Sequence, residues 1–491
     1  MALATSEERA QGRSWALPRA LRSPHILLVP ALAAILAVQW PTLHYFYYFD
    51  DYVPFGEMAG ENASRYIWRL LMSTDVTPNW RPLPGLLYFA SWRVAGMNPV
   101  PVHVVMLALH AGTAALIYYA VWRTTRRSWA GLFAALIFGL NPAYVGALSQ
   151  VTTATQQLGA FFLVATLVAV IERCESRERL RANAWLGAAL ALWVLAIASH
   201  EGMAGVFPVF GLALLSFDAE PDGRWQRAAL RTAPFAAIGC ATALSFAACQ
   251  CNEGSTVWGT DYAWRQTVIY LGRLLYPVGL EPPWNVGVAH MAAAAGLALC
   301  MALTAITGPK ITRVGAAWVL LSVAPHVFIT YFTASRYLYI PAVGLGLMAG
   351  GIAALVGGPA LRLAPRAAAA VGIVGSVAIG AWYIDQTRRQ EEPFKAATER
   401  WRGFHTDVTS VFPTVPAGTR VIVIGGPFPQ YEFQLHILPA FAEATWGDGV
   451  SITDVEPDSL PAMLARLSDS KYVAEYQSNG QLVPIHGDPS R

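Results

Sequence analysis

Tyr45-Phe46-Tyr47-Tyr48-Phe49-Asp50-Asp51-Tyr52 follows the first apolar run of the chain, and the segment it opens closes with Asn79-Trp80-Arg81-Pro82-Leu83. Two adjacent carboxylates in an aromatic belt just beyond a hydrophobic run are costly to hold at a membrane interface unless something binds or reacts there. The stretch from Tyr45 to Pro82 is therefore the candidate active site of a membrane enzyme.

The composition around it agrees. Of 491 residues, 55% are hydrophobic, 13% charged and 12% aromatic, and the mean hydropathy is +0.40. That is too apolar for an ordinary soluble protein. A net charge of +3, from 34 basic and 31 acidic residues, gives no basic surface for nucleic acid. The cysteines Cys174, Cys240, Cys249, Cys251 and Cys300 show neither metal-ligand spacing nor a disulfide framework, and they read as packing residues.

Upstream of the acidic loop, residues 1–23 form a polar tail with Arg9, Arg13, Arg19 and Arg22, which keeps the N-terminus cytoplasmic, and Pro24–Trp40 reads as an uncleaved anchor. Downstream, further spans are expected at Pro101–Trp122, Ala130–Ser149, Thr152–Ile171, Ala184–Ser199, Met203–Phe217, Pro234–Cys249, Val288–Thr307, Gly315–Phe332, Leu338–Val356 and Ala368–Ile384. The fold class is thus an α-helical polytopic membrane protein with about eleven spans. Leu83–Met97 and Trp264–Leu280, interrupted by arginines, are expected as juxtamembrane or re-entrant helices on the outer face. Eighteen basic residues lie on the cytoplasmic side of this topology and seven on the outer side before the tail.

The domain reading is a membrane domain over 24–386, with its first outer loop at 42–100, followed by a non-cytoplasmic α/β domain over 387–491. In the latter, Gly418–Gly426 reads as a buried strand and Ser459–Leu467 as a short amphipathic helix. Tyr472–Pro484 reads as a hairpin turning at Asn479-Gly480 in a type I′ turn. Gly425-Gly426-Pro427 lacks the lysine and spacing of a phosphate loop and reads as a strand end.

Three constellations carry chemistry. Asp50 and Asp51, followed by Glu57, Glu61 and Asp75, can supply a base for displacement at a sugar carbon. Adjacent aspartates equally suit a divalent cation or none, so metal use stays open. Arg81 and Arg336, the latter in Ser335-Arg336-Tyr337-Leu338-Tyr339-Ile340-Pro341, are suited to a lipid phosphate. Ser199-His200-Glu201-Gly202 is a tight outer turn whose His200 and Glu201 are candidate acceptor or supporting groups. Tyr337, Tyr339 and His103 join that supporting set. His103 and His110, seven apart on one helix face, also read simply as hydrogen-bonded bundle histidines.

Read in order, the Phe-Asp-Asp loop, the Arg81-Pro82-Leu83 entry, His103 to His110, Asn141-Pro142-Ala143-Tyr144-Val145, the His200-Glu201 turn and Arg336 to Gly344 resemble the GT-C glycosyltransferases. Within them the chain is similar to the transmembrane O-mannosyltransferases with tetratricopeptide repeats and their prokaryotic relatives, over roughly Tyr45 to Arg402. The resemblance implies a polyprenyl- or dolichyl-phosphate-linked sugar donor and inverting transfer. Asp50 and Asp51 would be the acidic pair, and Arg336 the arginine near the lipid phosphate. His200-Glu201 stands where relatives often have Lys-Glu, Asn79-Trp80 replaces a more usual Tyr, and the repeats are absent.

The expected function is transfer of one sugar, mannose by the resemblance, from a polyprenyl-phosphate carrier to an acceptor hydroxyl on a protein, lipid or glycan at the outer face. Asp50 is the expected base and Asp51 its partner. For a bacterial source the location is the inner membrane. The alternatives are a non-catalytic transporter of lipid-linked sugar and a membrane scaffold working through its C-terminal domain. A transporter calls for charges within spans or repeated halves around a midplane site, whereas the informative charges here cluster at one face. The transferase reading requires Asp50 to lie near Arg336 with a cavity between them.

Overall fold

The computed structural model describes residues 25–59, 61–72, 80–220, 222–248, 259–278, 286–328, 335–356, 365–427, 433–447, 449–455 and 472–486. The chain opens with α1 (Leu28–Gln39), the short helices α2 (Val53–Met58) and α3 (Ala63–Met72), and α4 (Pro82–Ala95). There follow α5 (Val100–Thr125), α6 (Ser128–Gly139), α7 (Val145–Ser149), α8 (Ala154–Glu175), α9 (Arg179–Ser199), α10 (Phe207–Phe217) and α11 (Arg224–Ala248). Next come α12 (Thr260–Leu275), α13 (Val288–Thr307), α14 (Lys310–Val323), α15 (Tyr339–Val356) and the long α16 (Pro365–Val411). The end of the chain holds β1 (Arg420–Ile424), α17 (Phe433–Trp446), β2 (Ser451–Val455), β3 (Tyr472–Tyr476) and β4 (Leu482–His486).

Among the described residues, seven stretches are long and apolar enough to cross a bilayer: Val100–Thr125, Ser128–Ser149, Val151–Glu175, Arg179–Ser199, Val288–Thr307, Lys310–Phe328 and Ser335–Leu355. The other four segments expected to span coincide with α1, α10, α11 and the first half of α16. Outward-facing Leu299, Leu303 and Ile306 on α13 are exposed, as a lipid-facing surface requires. Small residues let the helices close on one another. A Cβ on Gly315 of α14 would come within 2.7 Å of the Gly344 carbonyl of α15, so these two helices meet backbone to backbone.

The helices expected at Leu83–Met97 and Trp264–Leu280 are α4 and α12. Within Ala130–Ser149 the helix breaks after Gly139, because Pro142 cannot continue it and the Asn141 side chain accepts from the Ala143 N–H at 2.9 Å to start the next turn. The long α16 runs without interruption across residue 386 and carries the chain out of the bundle.

The sheet has the order β2-β1-β3-β4, with β1 parallel to both β2 and β3, and β3 antiparallel to β4. The strand expected in Gly418–Gly426 is β1, and the Tyr472–Pro484 hairpin is β3 with β4. Its turn differs from the expected type I′. Only Gly480 has a positive φ, +79°, while Gln477 N–H donates to the Gln481 carbonyl at 2.9 Å. This is a three-residue loop closed by a left-handed glycine, with the Asn479 side chain accepting from the Gln481 N–H instead of occupying the left-handed region itself. The helix expected at Ser459–Leu467 lies outside the described residues.

A second hydrophobic core joins the acidic loop to the chain's end. It runs from Tyr47, Tyr52 and Phe55 through Trp401 and Phe404 of α16 to Phe441 of α17 and Val421 of β1. Burying a side chain such as Phe55, fully enclosed here, contributes roughly 1.5–3 kcal/mol. α2 sits so close to α17 that a Cβ on Gly56 would approach the Ala440 Cα to 2.8 Å. The chain after α1 bends by 72° into this packing, which sets the loop helices outside the spanning bundle.

Candidate active site

The acidic loop begins where α1 gives way to a 3₁₀ turn, Trp40–His44, containing Pro41. Five residues later Phe49 adopts φ +58°, a left-handed conformation that costs a bulky side chain on the order of 1–2 kcal/mol. Beyond it the two carboxylates part company. Asp50 lines a cavity with its side chain 39% exposed, while Asp51 is fully buried.

Asp51 ties the loop to the start of α8. Its Oδ1 accepts from Thr152 N–H at 2.8 Å and from Thr152 Oγ1 at 2.9 Å, and its Oδ2 accepts from Tyr48 N–H at 3.2 Å. Burial pushes this carboxyl up to about 7 although these donors pull the other way. Burial likewise raises Asp50, opposed by the Arg336 guanidinium.

The cavity holds about 330 Å³. Arg336 reaches it from the 3₁₀ turn Ser335–Leu338 that precedes α15. Its Nη1 lies 3.7 Å from Asp50 Oδ2 and donates to Gln150 Oε1 at 3.2 Å. Arg81 enters from the residue before α4 and grips Glu201 with two parallel bonds, Nε to Oε2 at 2.7 Å and Nη2 to Oε1 at 2.5 Å. This bidentate pair ties the first loop to the turn between α9 and α10. His200 lines the cavity, and its Nδ1 accepts from the Gly202 N–H at 3.0 Å. Burial lowers its pKa to about 4, which keeps the ring neutral.

Tyr337 also lines the cavity, its ring stacked on His326 at 4.5 Å, with the Arg336 guanidinium 5.5 Å from its centroid. The remaining supporting candidates are elsewhere. Tyr339 is buried in the bundle, bonded to His110 Nδ1 at 2.9 Å, and His110 Nε2 contacts the Gly139 carbonyl at 3.1 Å. His103 is buried in α5 and is not among the residues lining the cavity. So Asp50, Arg81, His200, Arg336 and Tyr337 face one space, Asp51 and Glu201 brace it, and Tyr339 and His103 belong to the packing.

Sequence reasoning missed one wall of this space. Thr152, Thr153, Thr155 and Gln156 line it from the start of α8, and Gln150 holds Arg336. The available signal was the polar run Ser149-Gln150-Val151-Thr152-Thr153-Ala154-Thr155-Gln156-Gln157 at the head of an apolar segment. The described residues contain no group of three His, Cys, Asp or Glu side chains placed to hold a metal ion. Asp51 spends both oxygens on protein donors and Asp50 faces an arginine, while Asp75 of the same acidic constellation lies outside the described residues.

With this geometry in place, the fold can be compared with known ones. No family model matches the chain, and no curated protein does. Solved structures do match. ArnT from Cupriavidus metallidurans bound to undecaprenyl phosphate aligns over 93% of this chain and 94% of its own, with a TM-score of 0.52 and 11% identity. Its apo state aligns over 92% and 93% at TM-score 0.50 and 13% identity. The Archaeoglobus fulgidus oligosaccharyltransferase, tethered to an acceptor peptide containing the NVT sequon, aligns over 95% of this chain and 74% of its own at TM-score 0.51 and 11% identity. The chain has the GT-C fold.

Proposed function

We propose that the protein is an inverting membrane glycosyltransferase that moves a sugar from a polyprenyl-phosphate carrier to an acceptor hydroxyl, on the non-cytoplasmic face. The observation that carries this reading is the Asp50 carboxylate and the Arg336 guanidinium standing 3.7 Å apart on the lining of one cavity. A GT-C neighbour bound to undecaprenyl phosphate supports a lipid-phosphate partner. Asp50 takes the proton of the acceptor hydroxyl as its oxygen bonds to the anomeric carbon, and the bond from that carbon to the phosphate oxygen breaks on the opposite face. The departing polyprenyl phosphate carries the released electron pair, and Arg336 receives its charge.

Arg81, with its fork held by Glu201, adds positive potential beside that phosphate. Asp51 holds the loop in register and leaves the proton to Asp50. By the resemblance the sugar is mannose, and for a bacterial source the site of action is the inner membrane, with the N-terminus in the cytoplasm and the β-sheet unit outside. The test is to incubate the purified protein with a panel of polyprenyl-phosphate sugars and hydroxyl acceptors and to measure released carrier. Release by the wild type and none by Asp50→Asn supports the assignment. Equal release by both proteins overturns it.

A further inference from the structure

The cavity has a charged side and a neutral one. Asp50, Arg336 and Arg81 make up the first, and their charges are matched within the protein, Arg336 by Asp50 and Arg81 by Glu201. The other side is the first turns of α8, which present Thr152, Thr155 and Gln156 and nothing ionisable. Thr152 commits its hydroxyl to Asp51, and the Thr155 hydroxyl lies 3.4 Å from the Thr152 carbonyl.

Gln156 stands apart from the glutamines around it. Gln150 accepts from Arg336, and Gln157 donates to the Ala147 carbonyl. Gln156 as a residue is only 4% exposed, it lines the cavity, and among the described residues its amide makes no hydrogen bond. A primary amide brings two donors and two lone pairs, and it is costly to bury unmatched. An amide that opens onto a cavity with no protein partner is a place where a bound molecule completes the set.

We infer that Gln156, with Thr155 beside it, is the sugar-reading surface of the site, and that the sugar it takes is neutral, recognised through its hydroxyls. The inference rests on the transferase reading above, whose mannose is one neutral hexose, and adds which side chains read the sugar and that they turn away a charged one. Hydroxyls match an amide in both directions, as donors and as acceptors. An ammonium or carboxylate on the sugar would meet no counter-charge on this wall, and a buried unpaired charge is strongly disfavoured.

The test uses the full-length protein, as wild type, Gln156→Leu and Gln156→Glu. Two readouts are taken: carrier release from polyprenyl-phosphate hexoses and the matching aminohexose, and binding of sugar-free polyprenyl phosphate. Wild type should favour the neutral hexoses. Gln156→Leu should lower kcat/KM for them about 10- to 100-fold, as expected for a lost sugar hydrogen bond, while binding sugar-free polyprenyl phosphate within about twofold of wild type. Gln156→Glu should move preference toward the aminohexose. Thr155→Val, nearly the same in shape, should show a smaller loss in the same direction and serves if Gln156→Leu does not fold.

Unchanged kcat/KM in both Gln156→Leu and Thr155→Val overturns the inference. So does a matching loss of sugar-free carrier binding, which marks a structural role, or a wild-type preference for a charged sugar. Wild type that binds the carrier and releases none from any donor overturns the transferase reading itself, and this inference with it.

Discussion

The two ends of the helical bundle hold the same kinds of side chain and arrange them differently. At the end away from the sheet, Glu172 accepts from Tyr119 at 2.8 Å and from Arg123 at 2.6 Å, and Arg123 also reaches Glu175 at 3.0 Å. Asp218 takes Arg227 at 3.1 Å and Arg231 at 3.0 Å. These acids are saturated by their neighbours. At the other end Asp50 and Arg336 stand 3.7 Å apart, beyond hydrogen-bond length, on the wall of a cavity. A loosely matched acid and arginine beside an enclosed space leave room for a substrate to come between them.

The contrast breaks if the loose acid proves dispensable. Asp50→Asn is expected to cut carrier release by on the order of 10²–10⁴-fold, the usual contribution of a positioned general base, with thermal unfolding in detergent little changed. Arg336→Gln should cost about 10- to 100-fold, the loss of a charge-assisted bond to phosphate. It should also move the pH profile. Asp50 works deprotonated, burial sets its pKa above the ordinary carboxylate value, and Arg336 opposes that rise. The rate should therefore increase with pH on its acid side, and Arg336→Gln should shift that limb to higher pH. A limb that stays in place would separate Asp50 from Arg336 electrostatically.

Asp51 sharpens the comparison through stability. Its folded-state pKa, raised to about 7, means the folded protein binds more protons than the unfolded chain between the ordinary carboxylate value and neutrality. Stability should fall as pH rises through that window and level off above it. Asp51→Asn should flatten this slope in pH-dependent thermal unfolding. The smallest effect belongs to the far end. Glu175, with a side chain 40% exposed, should tolerate Gln with carrier release within about twofold of wild type and a stability change below about 0.5 kcal/mol. A large activity loss there would erase the difference between the two ends.

The charged part of this arrangement was legible in the sequence because ionised groups beside apolar runs are expensive and few. Asp50, Arg81 and Arg336 stand out for that reason, His200 stands out only through the tight turn it shares with Glu201, and the resemblance to the GT-C glycosyltransferases rests on the order of these motifs among the spans. What separated Asp50 from Asp51 was not legible, since it depends on the left-handed backbone at Phe49, a position no propensity assigns to phenylalanine. Neutral polar residues carry a weaker signal. Thr152 and Gln156 sit at the head of a span where threonine and glutamine are tolerated, so only the folded arrangement distinguishes a cavity wall from a helix end. Tyr339 misled in the opposite sense. It lies three residues beyond Arg336, at the first position of α15, and there bonds to His110 in the packing. In the tail, α17 carries Pro439 within its helix, which hides it from a reading based on helix breakers.

Tyr52 lies two positions past Asp50, and its ring is wedged between Trp401 at 4.9 Å and Phe441 at 5.1 Å. Asp50 is thus tied to the last hundred residues of the chain through that ring, through Tyr47 and Phe55 of the shared core, and through the close approach of Gly56 to Ala440. A displacement of the sheet unit would therefore be felt at Asp50 through that shared core.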